Sequence, residues 1–220
     1  MDKQNFLIRS ISGLTLATII LASIFLYRPL FIVFVYIIAA LMLFEWYDMT
    51  KNEKLYIYNF IGQILIIIPI TSILIISNLD QFGWILLTCF MTISSVDTMA
   101  MIGGKMIGGP KLAPKISPNK TISGLLAGTS SACIMVNLLT LIPSFELPHM
   151  LHQNHLSLTI HILLLGMTAQ ISDLLISYFK RKFKVKDTGT IIPGHGGVLD
   201  RFDSIILTAP LIVLYLISYL

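Results

Sequence analysis

The chain has 220 residues, of which 55% are hydrophobic and only 12% are charged, and its formal net charge is +4. A mean hydropathy of +0.85 leaves too little polar surface to cover a water-soluble globule of this size. The composition therefore excludes a soluble domain and indicates an integral membrane protein. Its basic residues cluster at the ends of apolar runs without interleaved aromatic residues, which argues against nucleic-acid binding.

Seven apolar stretches follow one another along the chain, and a helix needs roughly 20 apolar residues to cross a bilayer. The stretches are continuously apolar, whereas barrel strands alternate over about ten residues. We therefore predict an all-α, polytopic bundle of about seven transmembrane helices, the first of which stays in the mature chain because the second follows it directly. The predicted spans are 8–27, 30–46, 57–76, 84–102, 122–141, 158–179 and 205–220.

Lys and Arg are distributed very unevenly between the two sides of this predicted bundle. With seven spans and a cytoplasmic N-terminus, all of the 15 basic residues except Arg28 fall on the cytoplasmic side, as expected for short loops. The pattern predicts that the long polar loops, 103–121 and 180–203, both face the cytoplasm. We expect the membrane to be the bacterial inner membrane.

The first polar loop is rich in glycine and lysine, a composition that suits anion binding but is equally typical of a plain turn. Ser117, Lys120 and Thr121 precede the fifth apolar stretch as at a helix start, so a phosphate could lie at the positive end of that helix. The loop is not a Walker A motif, because Ser or Thr does not directly follow Gly104-Lys105.

Several carboxylates lie close to the predicted cytoplasmic ends of the spans. Asp200 and Asp203 are three residues apart and would share one face of a helix, as carboxylates that share a metal require. Asp173 lies inside the sixth stretch and Asp97 near the end of the fourth, and a carboxylate within a span is by default a functional hypothesis. For Glu45, which has no neighbouring motif residue, we expect snorkelling or a structural hydrogen bond.

The segment that follows the sixth stretch carries a long pattern of spaced polar residues and glycines. The residues of this pattern are Ser177, Lys180, Arg181, Lys186, Asp187, Gly189, Pro193, His195, Gly196, Gly197, Asp200, Arg201 and Asp203. In these positions the chain resembles the phosphatidate cytidylyltransferases, also called CDP-diacylglycerol synthases, and its first polar loop is similar to theirs. The C-terminal half carries the resemblance, so we divide the chain into N-terminal transmembrane helices, 1–90, and a C-terminal catalytic membrane region, 91–220.

The resemblance implies an Mg²⁺-dependent nucleotidyltransferase that joins phosphatidate to CTP, giving CDP-diacylglycerol and pyrophosphate. It also implies a homodimer and leaves open a second cation. It assigns Asp173 and Asp200 as the leading Mg²⁺ ligands, with Asp203 and Asp187 in support. The groups assigned to phosphates are Lys180, Arg181, Lys186 and Arg201, and those assigned to substrate binding are Asp97, Ser117, Lys120, Thr121, Ser177, His195, Gly196 and Gly197.

The chain departs from the family pattern at Ile176, where a glutamate is usual, and this leaves the metal stoichiometry open. For His195 three roles stay open: it shapes the glycine turn, contacts a phosphate or transfers a proton.

Two other function classes compete with this interpretation. Another CTP-dependent membrane lipid transferase or kinase would share the substrate chemistry. A secondary transporter would also carry intramembrane aspartates, but the chain shows no inverted repeat.

Two further groups of residues suggest metal or disulfide chemistry at first sight. His149, His152 and His155 have a spacing that suits zinc or copper, but the charge pattern puts them on the external side, away from the aspartates. Cys89 and Cys133 lie in separate apolar stretches, and we interpret them as packing residues.

Overall fold

The structure of the protein is a computed structural model that describes residues 3–53, 55–80, 83–142, 155–192, 194 and 196–218. Most of the described chain is helical, with one short hairpin between the fifth helix and the fourth. The helices are α1 (Lys3–Leu26), α2 (Arg28–Thr50), α3 (Ile57–Leu79), α4 (Trp84–Ile107), α5 (Ile122–Leu139), α6 (His155–Lys182), α7 (Leu199–Phe202) and α8 (Ile205–Ile217), and the strands are β1 (Lys111–Ala113) and β2 (Ser117–Thr121).

Five of these helices, α2 to α6, are long and apolar enough to cross a membrane. The chain is therefore an integral membrane protein, and the predicted helical bundle is confirmed at this level. Two further apolar segments are Ala17–Leu26, which is the C-terminal part of the 24-residue helix α1, and Ile205–Ile217, which is α8. At 1.5 Å per residue the second is about 20 Å long, less than the roughly 30 Å of a bilayer core. The count of about seven spans stays a prediction.

The prediction of an all-α fold missed the hairpin, which occupies most of the first polar loop. β1 and β2 pair antiparallel, with Lys111 opposite Thr121 and Ala113 opposite Ser117. Gly108 and Gly109 adopt φ values of 68° and 96°, a region that favours glycine, and they turn the chain out of α4 into β1. A helix start was expected over 117–121. The structure has strand β2 there instead, and only Thr121 takes part in α5, as its N-cap.

Small residues bring α4 and α5 into close contact. A Cβ atom on Gly103 would lie 2.5 Å from Cβ of Ala127, and one on Gly128 would lie 2.8 Å from the carbonyl oxygen of Val96. Glycine and alanine at such positions let helix backbones approach closely, as is common in membranes. The ends of α4 and α5 are thereby held together where the hairpin joins them.

The end of α2 is fixed against α3 and α6 by a buried aromatic side chain. Trp46 donates a hydrogen bond from Nε1 to the carbonyl oxygen of Tyr58 at 2.9 Å. Its ring meets that of Phe179 edge-on at 5.1 Å between centroids. Gly62 leaves room for it, since a Cβ there would lie 1.9 Å from Trp46 Nε1. These contacts fix the backbone next to Glu45, whose side chain points into the protein.

Candidate functional site

A cavity of about 760 Å³ opens at one end of the bundle, where α4, α5 and α6 meet the hairpin and the segment around α7. Residues far apart in the sequence share its wall. Five basic residues line it, namely Lys105, Lys111, Lys120, Lys180 and Arg201, together with five acidic ones, Asp97, Asp173, Asp187, Asp200 and Asp203. Backbone and polar positions on the wall include Gly104, Asn119, Thr121, Gly124 and Gln170.

The N-terminus of α5 forms one edge of the cavity and is capped by a side chain. The Thr121 hydroxyl accepts a hydrogen bond from the backbone N–H of Gly124 at 3.1 Å. A Cβ on Gly124 would lie 2.6 Å from the carbonyl oxygen of Ala100, so a glycine is required where α5 starts against α4. The predicted role of Thr121 at a helix start is confirmed, while its predicted contact with substrate stays a prediction.

Three carboxylates on one side of the cavity have few partners, and we call Asp97, Asp173 and Asp203 the open group. Asp173 pairs with Lys120, whose Nζ lies 2.6 Å from Oδ2, and accepts a hydrogen bond from Ser177 at 3.2 Å. Asp97 accepts one from the Ser204 hydroxyl, which lies 3.2 and 3.1 Å from its two oxygens.

Asp203 accepts a hydrogen bond at Oδ1 from the backbone N–H of Ser204 at 2.8 Å. Burial raises the pKa of the Asp203 carboxyl well above its ordinary value, and the nearby charges of Asp173 and Asp97 raise it further. The three carboxylates therefore repel one another, and a bound cation would relieve that repulsion. Within the residues that the structure describes, however, no group of three or more His, Cys, Asp or Glu side chains is arranged so that it could hold a metal ion.

The other side of the cavity holds a carboxylate whose oxygens are both occupied. Asp200 Oδ1 lies 2.7 Å from Lys180 Nζ, and the two side chains are only 4% and 10% exposed. Asp200 Oδ2 accepts hydrogen bonds from the backbone N–H groups of Thr188 at 2.8 Å and Gly197 at 3.0 Å. Burial alone raises the pKa of Asp200, but the hydrogen bond and charge of Lys180 and these two N–H groups outweigh it and hold the pKa below its ordinary value.

Glu45 lies directly behind Asp200. It is 2% exposed, and it accepts hydrogen bonds from the backbone N–H groups of Val198 at 2.8 Å and Leu199 at 2.9 Å. The Thr188 hydroxyl lies 2.9 Å from Glu45 Oε2 and 3.1 Å from Asp200 Oδ2, so its single proton can be donated to one carboxylate at a time. The expected structural hydrogen bond is confirmed, and the snorkelling alternative is wrong because the side chain turns inward.

We call Glu45 and Asp200 the closed group, together with their partners Thr188 and Lys180. Sequence reasoning missed Thr188 and the link from Glu45 to the second polar loop. The only sequence signal for this link was the position of Glu45, an acidic residue near the end of an apolar span.

Some predicted site residues lie beside the cavity instead of lining it. Arg181 donates from Nε to the carbonyl oxygen of Ile116 at 3.2 Å and from its guanidinium to that of Val185 at 3.1 Å, which ties the hairpin turn to the end of α6. Lys186 is exposed. The remaining members of this set are Ser117, Ser177, Gly196 and Gly197, of which Gly196 has a φ of 88° next to Asp200.

Several predictions concern positions that the structure does not describe. His195 and Pro193 lie outside the described residues, as do His149 and His152, and the side chain of His155 is not described either. Ile176 is fully buried in the apolar core, so the position where the family usually has a glutamate faces packed side chains.

Together the fold and the site define a helical membrane protein that carries a cavity for charged ligands at one end of its bundle. The model of the cytidylyltransferase family matches residues 55–219 of the chain. The chain therefore belongs to the cytidylyltransferase family.

Individual relatives carry a more specific name. The phosphatidate cytidylyltransferase of Rickettsia bellii (strain RML369-C) is 50% identical over 211 residues, which cover 96% of this chain and 90% of that protein. That of Rickettsia felis (strain ATCC VR-1525 / URRWXCal2) is 48% identical over 219 residues, 100% of this chain and 95% of the relative. The phosphatidate cytidylyltransferase of Bacillus subtilis (strain 168) is 40% identical over 137 residues, 61% of this chain and 48% of that protein. The resemblance seen in the sequence is confirmed.

Proposed function

We propose that the protein transfers the cytidylyl group of CTP to phosphatidate, forming CDP-diacylglycerol and releasing pyrophosphate. The observation that carries this proposal is the cavity at the end of the membrane bundle, whose wall combines cations with carboxylates in a protein about half identical to phosphatidate cytidylyltransferases. A reaction between a membrane lipid and a water-soluble nucleotide needs such a position, since both substrates must reach the same site.

In this reaction a phosphate oxygen of phosphatidate attacks the α-phosphorus of CTP, and the bond from that phosphorus to the pyrophosphate oxygen breaks. Phosphatidate is already ionised, so the reaction needs little help from a general base. Holding the two anions together and offsetting their charge supplies most of the acceleration. Lys105, Lys111, Lys120 and Arg201 line the cavity and are suited to this task.

A magnesium ion fits the chemistry of the open group, because carboxylate oxygens are the ligands that this ion prefers and it commonly shares them with substrate phosphates. Asp173 and Asp203, with Asp97 beside them, are the residues that would hold it, and substrate oxygens would complete the set. Asp200 and Asp187 line the same cavity, but Asp200 would join only by exchanging Lys180 for the ion. When bound, magnesium would neutralise charge on the phosphates.

We further propose a seven-span arrangement in the bacterial inner membrane, with the N-terminus and the cavity on the cytoplasmic side. The five long apolar helices, the apolar segments in α1 and α8, and the one-sided distribution of Lys and Arg support it. A tag fused to the C-terminus should then be accessible only from the external side. A cytoplasmic tag would rule out an odd number of spans. Homodimerisation stays a prediction from the family.

The function is tested with purified protein in detergent, supplied with phosphatidate, Mg²⁺ and CTP that is labelled either at the α- or at the γ-phosphate. We expect the α-label in the lipid product and the γ-label in pyrophosphate. A γ-label in the lipid would indicate a lipid kinase instead, and an absence of labelled lipid from the wild type would refute the proposal.

Two lysines of the hairpin provide a matched pair for this assay. Lys120 lines the cavity and pairs with Asp173, whereas Lys115 is exposed in the turn and does not line the cavity. We expect Lys120→Gln to lower the rate of lipid labelling roughly 10-fold, because one charge-assisted contact to a phosphate is lost. Lys115→Gln should label lipid at the wild-type rate. Equal effects of the two changes would show that the reaction does not take place in this cavity.

A further inference from the structure

We propose that Glu45 is a positioning residue for the reaction. Its contacts with both ends of the segment 188–199 keep Asp200 and Lys180 fixed in the cavity wall. This inference rests on the proposed function. Glu45 lies in α2, upstream of residues 55–219, which are the part of the chain that the family model matches. The N-terminal helices would thus contribute a functional carboxylate as well as membrane anchorage.

The geometry connects Glu45 to the cavity through a short chain of hydrogen bonds. Glu45 accepts from Val198 and Leu199 at one end of the segment and faces the Thr188 hydroxyl at the other, with all three distances between 2.8 and 2.9 Å. Thr188 in turn donates its backbone N–H to Asp200, which pairs with Lys180. One carboxylate therefore clamps both ends of the segment.

Such a clamp is needed because four glycines, at positions 189, 194, 196 and 197, make this part of the chain costly to order. Gly194 and Gly196 both adopt positive φ, at 73° and 88°, and glycine loses more conformational freedom on ordering than any other residue. Ordering the segment thus requires several fixed contacts. Glu45 accepts two backbone N–H groups and faces the Thr188 hydroxyl, and it does not itself line the cavity, so it acts through Asp200 and Lys180.

Two glycines show how closely the segment is fitted to this carboxylate. A Cβ on Gly189 would lie 2.7 Å from Glu45 Oε1 and 2.9 Å from Cδ, and the three nearest atoms to it all belong to Glu45. A Cβ on Gly197 would lie 2.5 Å from Glu45 Oε2 and 2.2 Å from the Thr188 hydroxyl oxygen. Both positions therefore have to be glycine as long as Glu45 is in place.

The first test compares Glu45→Gln with Asp48→Asn, a matched change of an exposed acid one turn further along α2 that pairs only with Lys51 among the contacts described. Glutamine presents an N–H donor to one of the groups that Glu45 now accepts from. We expect kcat per folded molecule to fall about 10-fold or more in Glu45→Gln, with KM for CTP changed less than about 3-fold because the hairpin lysines are untouched. Asp48→Asn should behave as wild type.

A double-mutant cycle tests the contact itself. Gly189→Ala should lower kcat about 10-fold in the wild-type background, because its Cβ displaces the carboxylate. In a Glu45→Ala background the same change should have no further effect, since the atoms that it would clash with are gone. Effects that simply multiply would show that the two sites act independently.

Amide hydrogen exchange of the segment 187–203 provides a readout that needs no substrate. We expect faster exchange there in Glu45→Gln than in the wild type or Asp48→Asn. If the wild type makes no CDP-diacylglycerol while this difference is present, the proposed function fails and the clamp stands. If Glu45→Gln loses activity only in proportion to its folded fraction, with unchanged kcat per folded molecule and unchanged exchange, the positioning role is overturned.

Discussion

The carboxylates of the cavity wall, together with Glu45 behind it, form two groups that differ in how their charge is satisfied. In the closed group, Asp200 has a buried lysine partner and backbone donors, and Glu45 is held by backbone donors and a threonine hydroxyl. In the open group, Asp97 and Asp203 have one serine residue as their described hydrogen-bond donor, and Asp173 has a partly exposed lysine and a serine. The same residue type therefore serves two purposes within one site.

The difference follows from what each environment does to a charge. A buried carboxylate is stable only if it is paired and hydrogen-bonded, so the closed group is part of the scaffold that orders the cavity wall. The open group has few donors at the surface of a large cavity, and the repulsion among its carboxylates favours a cationic or cation-bridged ligand. Measuring stability and activity in the same variants separates these two roles.

The largest effect should come from breaking the closed group with Asp200→Asn. This change leaves Lys180 buried without its partner, and loss of one member of a buried ion pair costs about 3 kcal/mol or more. We expect both a lower unfolding temperature in detergent and a loss of activity. An Asp200→Asn variant that melts like the wild type would mean that this carboxylate is not structural.

In the open group, by contrast, we expect substitutions to lower activity without lowering stability. Asp173→Asn or Asp203→Asn should lower kcat/KM roughly 100-fold, since charge stabilisation at a reacting phosphate is commonly worth this much. The unfolding temperature should change little, because Asp203→Asn removes repulsion within the group and Asp173→Asn breaks only a partly exposed pair with Lys120. Parallel measurement with Asp200→Asn gives the contrast directly, and equal melting losses in all three variants would abolish the distinction between the groups.

A smaller effect should distinguish two arginines that the sequence pattern assigns to the same role. Arg201 lines the cavity, whereas Arg181 donates to two backbone carbonyls beside it. We expect Arg201→Gln to raise KM for CTP about 10-fold, as the loss of a charge-assisted hydrogen bond would. Arg181→Gln should change it no more than about 3-fold. A larger effect of Arg181→Gln than of Arg201→Gln would place the phosphates of CTP outside this cavity.

The smallest effect concerns the edge of the cavity at α5. Thr121→Val keeps the shape of the side chain but removes the oxygen that accepts the Gly124 N–H, and loss of such a cap costs about 1 kcal/mol. We expect a slightly lower unfolding temperature with near-normal activity. Ser130→Ala, an exposed change on the same helix, is the control and should leave the unfolding temperature unaltered.

Much of the fold could be predicted because hydropathy acts locally. The predicted starts of α3, α4 and α5 agree with the structure at Ile57, Trp84 and Ile122, where polar or glycine-containing segments end. The hairpin was missed because its strands are only three and five residues long, too short for an alternating pattern to be distinct. The sequence pattern also brought Asp97, Lys120, Asp173, Asp200, Arg201 and Asp203 into one predicted site, and all six line the cavity.

The sequence by itself determined the membrane class, the family and the residue types of the site, because these depend on composition and on spacing within continuous segments. Only the tertiary structure decided which carboxylates are closed and which are open. Glu45 and Thr188 are 143 residues apart, and no local sequence pattern predicts that their side chains are in contact. A carboxylate becomes scaffold or ligand-binding group according to the donors packed around it, and those donors come from other parts of the chain.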